Sequence, residues 1–262
     1  MHRSGTSTVA KAVAALGYSL GPSKKLLISD FSPRELSENE DMVDINIELL
    51  KILGGDWLSP VIPQQGWLDD PAVLELGKRA RRIVKKNFGR AAKWAWKDPR
   101  NCLTLPFWCD VLNQEPIAII CIRNPLEVCN SLFRRNEISY SQSSYMWRIY
   151  TASAVVNSMP HSTIIVDFDR MMNNPEKVFE EIGAILGVKD KKKLVKARDR
   201  WFKDFSPAVR ESNFNLDSLL SLGGIDAGAI ALYMSMKYGN MFDISDAILG
   251  MPKGGVGYAA HM

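Results

Sequence analysis

The stretch that most constrains this chain is IAIICI at 117–122, which runs without a linker into Arg123, Asn124 and Pro125. Six uncharged, mostly β-branched residues in a row have no polar face to show water. They predict a strand buried on both sides, as in parallel sheets. Asn124 is a good N-cap and Pro125 a good first helical residue, since its fixed φ suits the helix and its missing N–H is not needed there. Strand-like runs at 92–97 and 163–168 repeat the pattern, and helical periodicity occurs near 5–16, 39–53, 71–88, 125–135, 142–158, 175–187 and 190–203. Alternation of this kind predicts βαβ units and a mostly parallel sheet covered by helices on both faces. Ligands are then expected beyond the carboxyl ends of the strands.

The first residues supply a second constraint. Arg3, Ser4, Gly5, Thr6 and Ser7 form a small-residue loop that feeds the apolar stretch from Val9 to Leu16, which Gly17 ends. A loop of this kind aims backbone N–H groups and the positive end of a helix dipole at one point, an anion site. A helix merely capped by Ser4 or Thr6 is the other reading. Within the 125–135 helix, seven residues at about 100° each return Ser131 to nearly the azimuth of Asn124. The Ser131 hydroxyl thus faces whatever Arg123 reaches from the strand end, and a guanidinium fork beside a short hydroxyl suits a phosphate monoester.

With Arg3 two residues before Gly5, RSGTS resembles the 5′-phosphosulfate loop of the sulfotransferases that use 3′-phosphoadenosine 5′-phosphosulfate (PAPS), written KSGT or RSGT in that superfamily. Arg123 and Ser131, eight positions apart, resemble its 3′-phosphate motif. KWAWKDPR at 93–100 is similar to the strand and turn of a bacterial HRSGTS/KDPR-type branch, and ENEDMVDIN at 38–46 to its FENxxxVxxLN stretch, with Ser37 in place of the aromatic. IIVDFDR at 164–170, followed by Asn173, Asn174 and Pro175, resembles the YxxLxxDP segment, and SPAVRES at 206–212 the LRHS turn, with Glu211 in place of His. The resemblance spans residues 1 to about 212 and leaves 213–262 as an uncertain C-terminal extension. Within that extension KGGVG at 253–257 is similar to a KGxxG turn that closes over the 3′-phosphate, although a Gly-rich tail of this kind is usually just mobile.

The resemblance implies a three-layer P-loop-like α/β fold with a mostly parallel central sheet flanked by helices. It also implies sulfuryl transfer from PAPS to a hydroxyl of a glycan, lipid or small molecule, saccharides included, without a metal. Arg3, Ser4, Gly5, Thr6, Ser7, Arg123 and Ser131 would bind the nucleotide. Glu38 would be the general base by analogy with the Glu of FEN, although Glu38, Glu40 and Asp41 could instead complement the dipole of the helix they open. Lys97 and Asp98 are the reserve pair, Lys97 for the bridging oxygen and Asp98 to orient it, with a strand-end ion pair to Arg100 as the other reading. A P-loop nucleotide kinase and a catalytically inactive nucleotide-binding remnant are the alternatives; the missing GK[ST] and the Arg123–Ser131 pair speak against the kinase. The family pattern also has a strand directly before the phosphate loop, whereas this chain starts inside it. That strand is expected to lie upstream or to be replaced by another segment, and without it the chain is expected to be marginally stable, prone to aggregate and weak in activity.

Composition agrees with one domain over residues 1–262, since the chain is 46% hydrophobic and 24% charged and no Pro/Ser-rich linker divides it. A net charge of +4 favours nucleotides without implying nucleic acid. Basic runs at 78–90 and 189–203 read as solvated helix faces or as attraction for an acidic acceptor, and no aromatic platform is interleaved with them. Trp94, Trp96, Trp108, Trp147 and Trp201 read as core or pocket walls. Cys102, Cys109, Cys121 and Cys129 form no CxxC and have no His beside them in sequence, so they are expected as buried free thiols in a reducing compartment. His2, His161 and His261 are too scattered to suggest a metal site. No membrane span or signal segment is visible, so the cytoplasm is the expected location. Oligomeric state is not encoded in any feature recognised here.

Overall fold

The computed structural model describes residues 1–28, 35–205 and 212–238. Those residues form an α/β protein with eleven α-helices and four short strands. Helix α1 (Thr6–Ala15) leads to strand β1 (Leu26–Ile28), which pairs antiparallel with β2 (Glu35–Asn39). Next come α2 (Glu40–Ile52), α3 (Pro71–Phe88) and α4 (Asn101–Leu112), then β3 (Ile117–Ile122), α5 (Pro125–Asn136) and α6 (Tyr140–Ser158). The order continues with β4 (Ser162–Asp167), α7 (Phe168–Asn173), α8 (Pro175–Ile185) and α9 (Lys191–Asp204), and ends with α10 (Leu216–Ser221) and α11 (Ala227–Tyr238). No helix among the described residues is long and apolar enough to cross a membrane.

The expected sheet is smaller than the sequence pattern suggests. β3 and β4 pair in parallel from Ile117 opposite Ser162 to Ile122 opposite Asp167, and no further strand joins them among the described residues. Residues 92–97 do not form the expected strand; they make one parallel bridge, Ser19 to Trp94. Ring packing holds this segment instead, with Phe88, Trp94, Trp96 and Trp108 following one another at centroid distances of 4.6, 5.4 and 5.3 Å. A strand needs a partner backbone, and between this segment and β3 lies a cavity of about 480 Å³.

Four helices, α4, α7, α10 and α11, escape the periodicity argument. Pro106 makes α4 hard to anticipate, because it removes the N–H that would bond the Cys102 carbonyl. Asn157 on α6 replaces that donor, its Nδ2 lying 2.9 Å from the Cys102 oxygen. Three apolar cores fill the layers: α5, α6, α10 and α11 on one face of β3, α1, α8 and α9 on the other, and α2, α3 and α4 to one side. Trp201 ties α9 to α1 by donating from Nε1 to the Thr8 carbonyl at 3.1 Å.

One buried polar residue joins the third core to the segment that follows it. Asn46, wholly inaccessible on the apolar face of α2, donates to Asp98 Oδ2 at 2.8 Å and Asn101 Oδ1 at 2.9 Å. Its Oδ1 accepts from Thr104 Oγ1 and Trp108 Nε1, both at 2.8 Å. Removing this side chain strands several buried groups at once, each costly when unpaired. Asn46→Ala should therefore lose about 3 kcal/mol of stability. Thermal unfolding checks this, and an unchanged midpoint would show that the hub contributes nothing.

Candidate functional site

The loop before α1 owes its shape to two left-handed residues, Arg3 at φ 62° and Gly5 at φ 81°. Left-handed backbone favours glycine, and at Gly5 the packing excludes any side chain as well. A Cβ there would sit 2.6 Å from Phe168 Cδ2 and 2.9 Å from Met171 Cε. Gly5 is also the N-cap of α1, so no side chain caps the helix and no acid lies in its first turn. The capping role open to Ser4 and Thr6 is thus not taken. Buried Ser4 points its Oγ at the His2 carbonyl, 3.4 Å away. The N-cap position thus places no side-chain acceptor on the positive end of the α1 dipole.

Arg3 from the first residues of the chain meets Arg123 and Ser131 from its middle. Arg3 Nε donates to Ser131 Oγ at 2.8 Å, and Arg123 Nη1 donates to the Arg3 carbonyl at 3.0 Å. Arg123 is only 6% exposed, with its guanidinium 4.2 Å from the centroid of the Phe168 ring. One turn further along α5, fully buried Glu127 accepts from Arg123 Nε at 2.7 Å. The other Glu127 oxygen accepts from the Phe214 N–H at 3.2 Å, and Asn124 Nδ2 donates to the Phe214 carbonyl at 3.0 Å. Arg123 Nη2 is a buried donor without a partner among the described residues.

A second group stands beside the loop. Lys97 Nζ lies 2.5 Å from Glu38 Oε1, with each side chain 13% exposed. Glu38 is on β2, and the acids in the first turn of α2 are Glu40 and Asp41, so Glu38 has no place in the dipole reading. Lys97 and Asp98 have different partners. Asp98 takes the Arg100 reading, with Oδ1 accepting from the Arg100 N–H and Nη1 at 2.9 Å each while Oδ2 is held by Asn46.

Tertiary packing adds residues that no motif singled out. His2 is half-buried between Trp57 and Tyr150 at ring-centroid distances of 5.2 and 5.6 Å, and its inaccessible Nε2 has no partner among the described residues. Burial first, then the charge of Arg100, holds this imidazole well below its ordinary pKa. His161 Nε2 lies 3.4 Å from Cys109 Sγ, which corrects the expectation that no His stands near a cysteine. All four thiols are free, but only Cys121 and Cys129 are fully buried. A polar Asn46 among Met42, Ile45 and Leu49 was the one visible signal for the hub. The LRHS-like stretch with Glu211 and the KGGVG segment at 253–257 lie outside the described residues.

No family model, no curated protein and no solved structure matches the chain.

Gly5→Ala should cost about 2–4 kcal/mol, combining left-handed strain with displacement of the Phe168 ring, and thermal unfolding measures it. His2 should make stability pH-dependent. Because its folded pKa is depressed, the unfolded chain binds the proton first, so stability falls as pH drops through the ordinary imidazole range near about 6.5. Comparing melting midpoints at several pH values in wild type and His2→Phe tests this. An equal acid response in both would remove His2 as the cause.

Proposed function

We propose that the chain is a sulfotransferase that moves a sulfuryl group from PAPS to the hydroxyl of an acceptor. The carrying observation is the meeting of Arg3, Arg123 and Ser131 at the N-terminus of α1, whose N-cap is a glycine, with a buried Arg123 N–H that has no partner among the described residues. A buried donor with nothing to bond is costly in a protein that uses it for nothing, and a phosphate oxygen would satisfy it. Ser131 Oγ accepts from Arg3 and keeps its own O–H to give. In this reading Arg3 and residues Ser4 to Ser7 hold the 5′-phosphosulfate, Arg123 and Ser131 hold the 3′-phosphate, and β3 and β4 belong to a three-layer P-loop-like sheet.

Sulfuryl transfer chiefly requires alignment of nucleophile, sulfur and leaving oxygen, together with neutralisation of charge on the departing phosphate. The acceptor oxygen bonds to sulfur as the sulfur–oxygen bond to the 5′-phosphate breaks. Glu38 takes the acceptor proton, and Arg3 with the α1 dipole meets the charge that returns to the phosphate. Lys97, ion-paired with Glu38, keeps that carboxylate in place and adds a cation beside it.

Two measurements test the reading. Ser131→Ala and Arg123→Ala should each weaken binding of adenosine 3′,5′-bisphosphate, by about 2–4 kcal/mol for the arginine, while 5′-AMP binding changes little. Equal losses for both nucleotides would overturn the 3′-phosphate assignment, and the Ser131 variant keeps the test valid if loss of Arg123 unfolds the chain. Glu38→Gln should lower kcat by about 100-fold or more with donor affinity nearly intact. Wild-type turnover would remove the base from Glu38.

A further inference from the structure

Strand β2 breaks step with its partner. Leu26 faces Asn39 and Ile28 faces Glu35, so Leu27 alone stands opposite three residues, 36 to 38. A regular antiparallel ladder pairs residues one to one. Surplus residues make a bulge, which bends the strand and re-aims its side chains. Ser37 lies in the middle of this bulge with φ at 57°. Among the described residues the other left-handed positions that are not glycine are Arg3, Asn113 and Glu137. Asn113 and Glu137 close α4 and α5, where that conformation is ordinary, and Arg3 belongs to the loop before α1. Of these four residues, Ser37 is the one within a strand.

Its own side chain does not hold it there. Ser37 is 1% exposed, and its Oγ has no hydrogen-bond partner among the described residues. A left-handed residue that is not glycine persists only where its surroundings impose the turn, and here the constraints follow it in the chain. Asn39 caps α2, its Oδ1 accepting from the Met42 N–H at 3.4 Å. It also packs so closely on Gly21 that an added Cβ there would stand 2.5 Å from its Nδ2. Glu38, between them, reaches Lys97, whose segment is held by the stacked rings of Trp94 and Trp96 and, through Asp98, by Asn46. In a one-to-one ladder Glu38 would lie directly opposite Leu27. With Asn39 and Lys97 both fixed, the change of direction that takes Glu38 out of the ladder falls on Ser37.

We propose that Ser37 is a positioning residue for the Glu38 carboxylate: its left-handed turn within β2 aims Glu38 at Lys97, and it acts through backbone conformation rather than through its hydroxyl. The inference rests on the reading of Glu38 as the base. A displacement of about 1 Å at a reacting group can cost about 100-fold in rate, so a residue that touches no substrate can still set kcat.

Two substitutions separate conformation from chemistry. Ser37→Gly permits the turn and lacks the hydroxyl, whereas Ser37→Thr keeps the hydroxyl and its branched Cβ disfavours the turn. Turnover is followed as release of adenosine 3′,5′-bisphosphate from PAPS with water as the acceptor. Ser37→Gly should keep kcat within about threefold and melt at or above the wild-type midpoint. Ser37→Thr should lower kcat by about tenfold or more with bisphosphate affinity unchanged. The carboxyl ¹³C resonance of Glu38, recorded with and without Lys97→Gln, reports the ion pair without any substrate. It should respond to that substitution in wild type and Ser37→Gly and lose the response in Ser37→Thr. An inactive Ser37→Gly beside an active Ser37→Thr would move the role to the hydroxyl and overturn the proposal, as would unchanged turnover and an unchanged Glu38 response in both. If Ser37→Thr does not fold, Ser37→Gly decides alone, and loss of its turnover or of its Glu38 response overturns the proposal. A wild-type chain that neither binds the bisphosphate nor consumes PAPS would instead overturn the sulfotransferase reading, and the Glu38 resonance would then decide the positioning by itself.

Discussion

A buried guanidinium organises this protein. Arg123 lies at the end of β3, nearly inaccessible, and four different parts of the chain are built around its charge: the loop before α1, α5, the Phe168 ring that opens α7, and the backbone at Phe214 reached through Glu127. A cation out of water is tolerated only when its hydrogen bonds and counter-charge are in place, and removing one partner of such a pair costs about 3–5 kcal/mol. Local choices elsewhere follow from it. Phe168 covers the guanidinium, so the residue opposite has room for no side chain, and that residue is Gly5. The left-handed turn that opens α1 and the βα joint at Asn124 are thereby parts of one packing solution.

A neutral network does the corresponding work on the other side of the loop. Asn46 spends its hydrogen-bonding capacity on Asp98, Asn101, Thr104 and Trp108, which fastens α2 to α4 and sets the turn that carries Lys97 and Arg100. Asp98 is thereby a structural acceptor, and its neighbour Lys97 is left to reach Glu38. Two adjacent residues in one turn thus take different tasks because their side chains leave the backbone toward different surroundings. Loss of hydration, and after it the charge of Arg100, holds the His2 imidazole well below its ordinary pKa.

The small sheet and the large cavity are two views of the same fact. Parallel strands normally sit in the middle of a sheet with both faces covered. Here the coverings are present, α1 on one face and α6 on the other, while among the described residues β3 has only β4 beside it. Residues 93–97 keep the direction and the alternation of a strand but hold their place through stacked rings, since the backbone they would pair with is not next to them. Apolar side chains of β3, α1 and the 93–98 segment line the cavity of about 480 Å³ between them.

The sequence by itself determined what local chemistry decides: the buried strand at 117–122, the Asn124–Pro125 helix start, and the helices with clear apolar stripes. Helix geometry put Ser131 on the side that Arg123 reaches, and only the resemblance joined Arg3 to them; the fold brings the three together. Only tertiary structure decided which groups meet. The Arg123–Glu127 pair, the His161–Cys109 contact, the Asn46 hub, the donor that Asn157 supplies opposite Pro106, and the split between Lys97 and Asp98 each join residues through packing that no periodicity encodes. The failed strand at 92–97 has the same cause. A helix satisfies its backbone within its own residues, so a pattern can announce it, whereas a strand exists only if another backbone lies alongside, and the residues concerned cannot specify that.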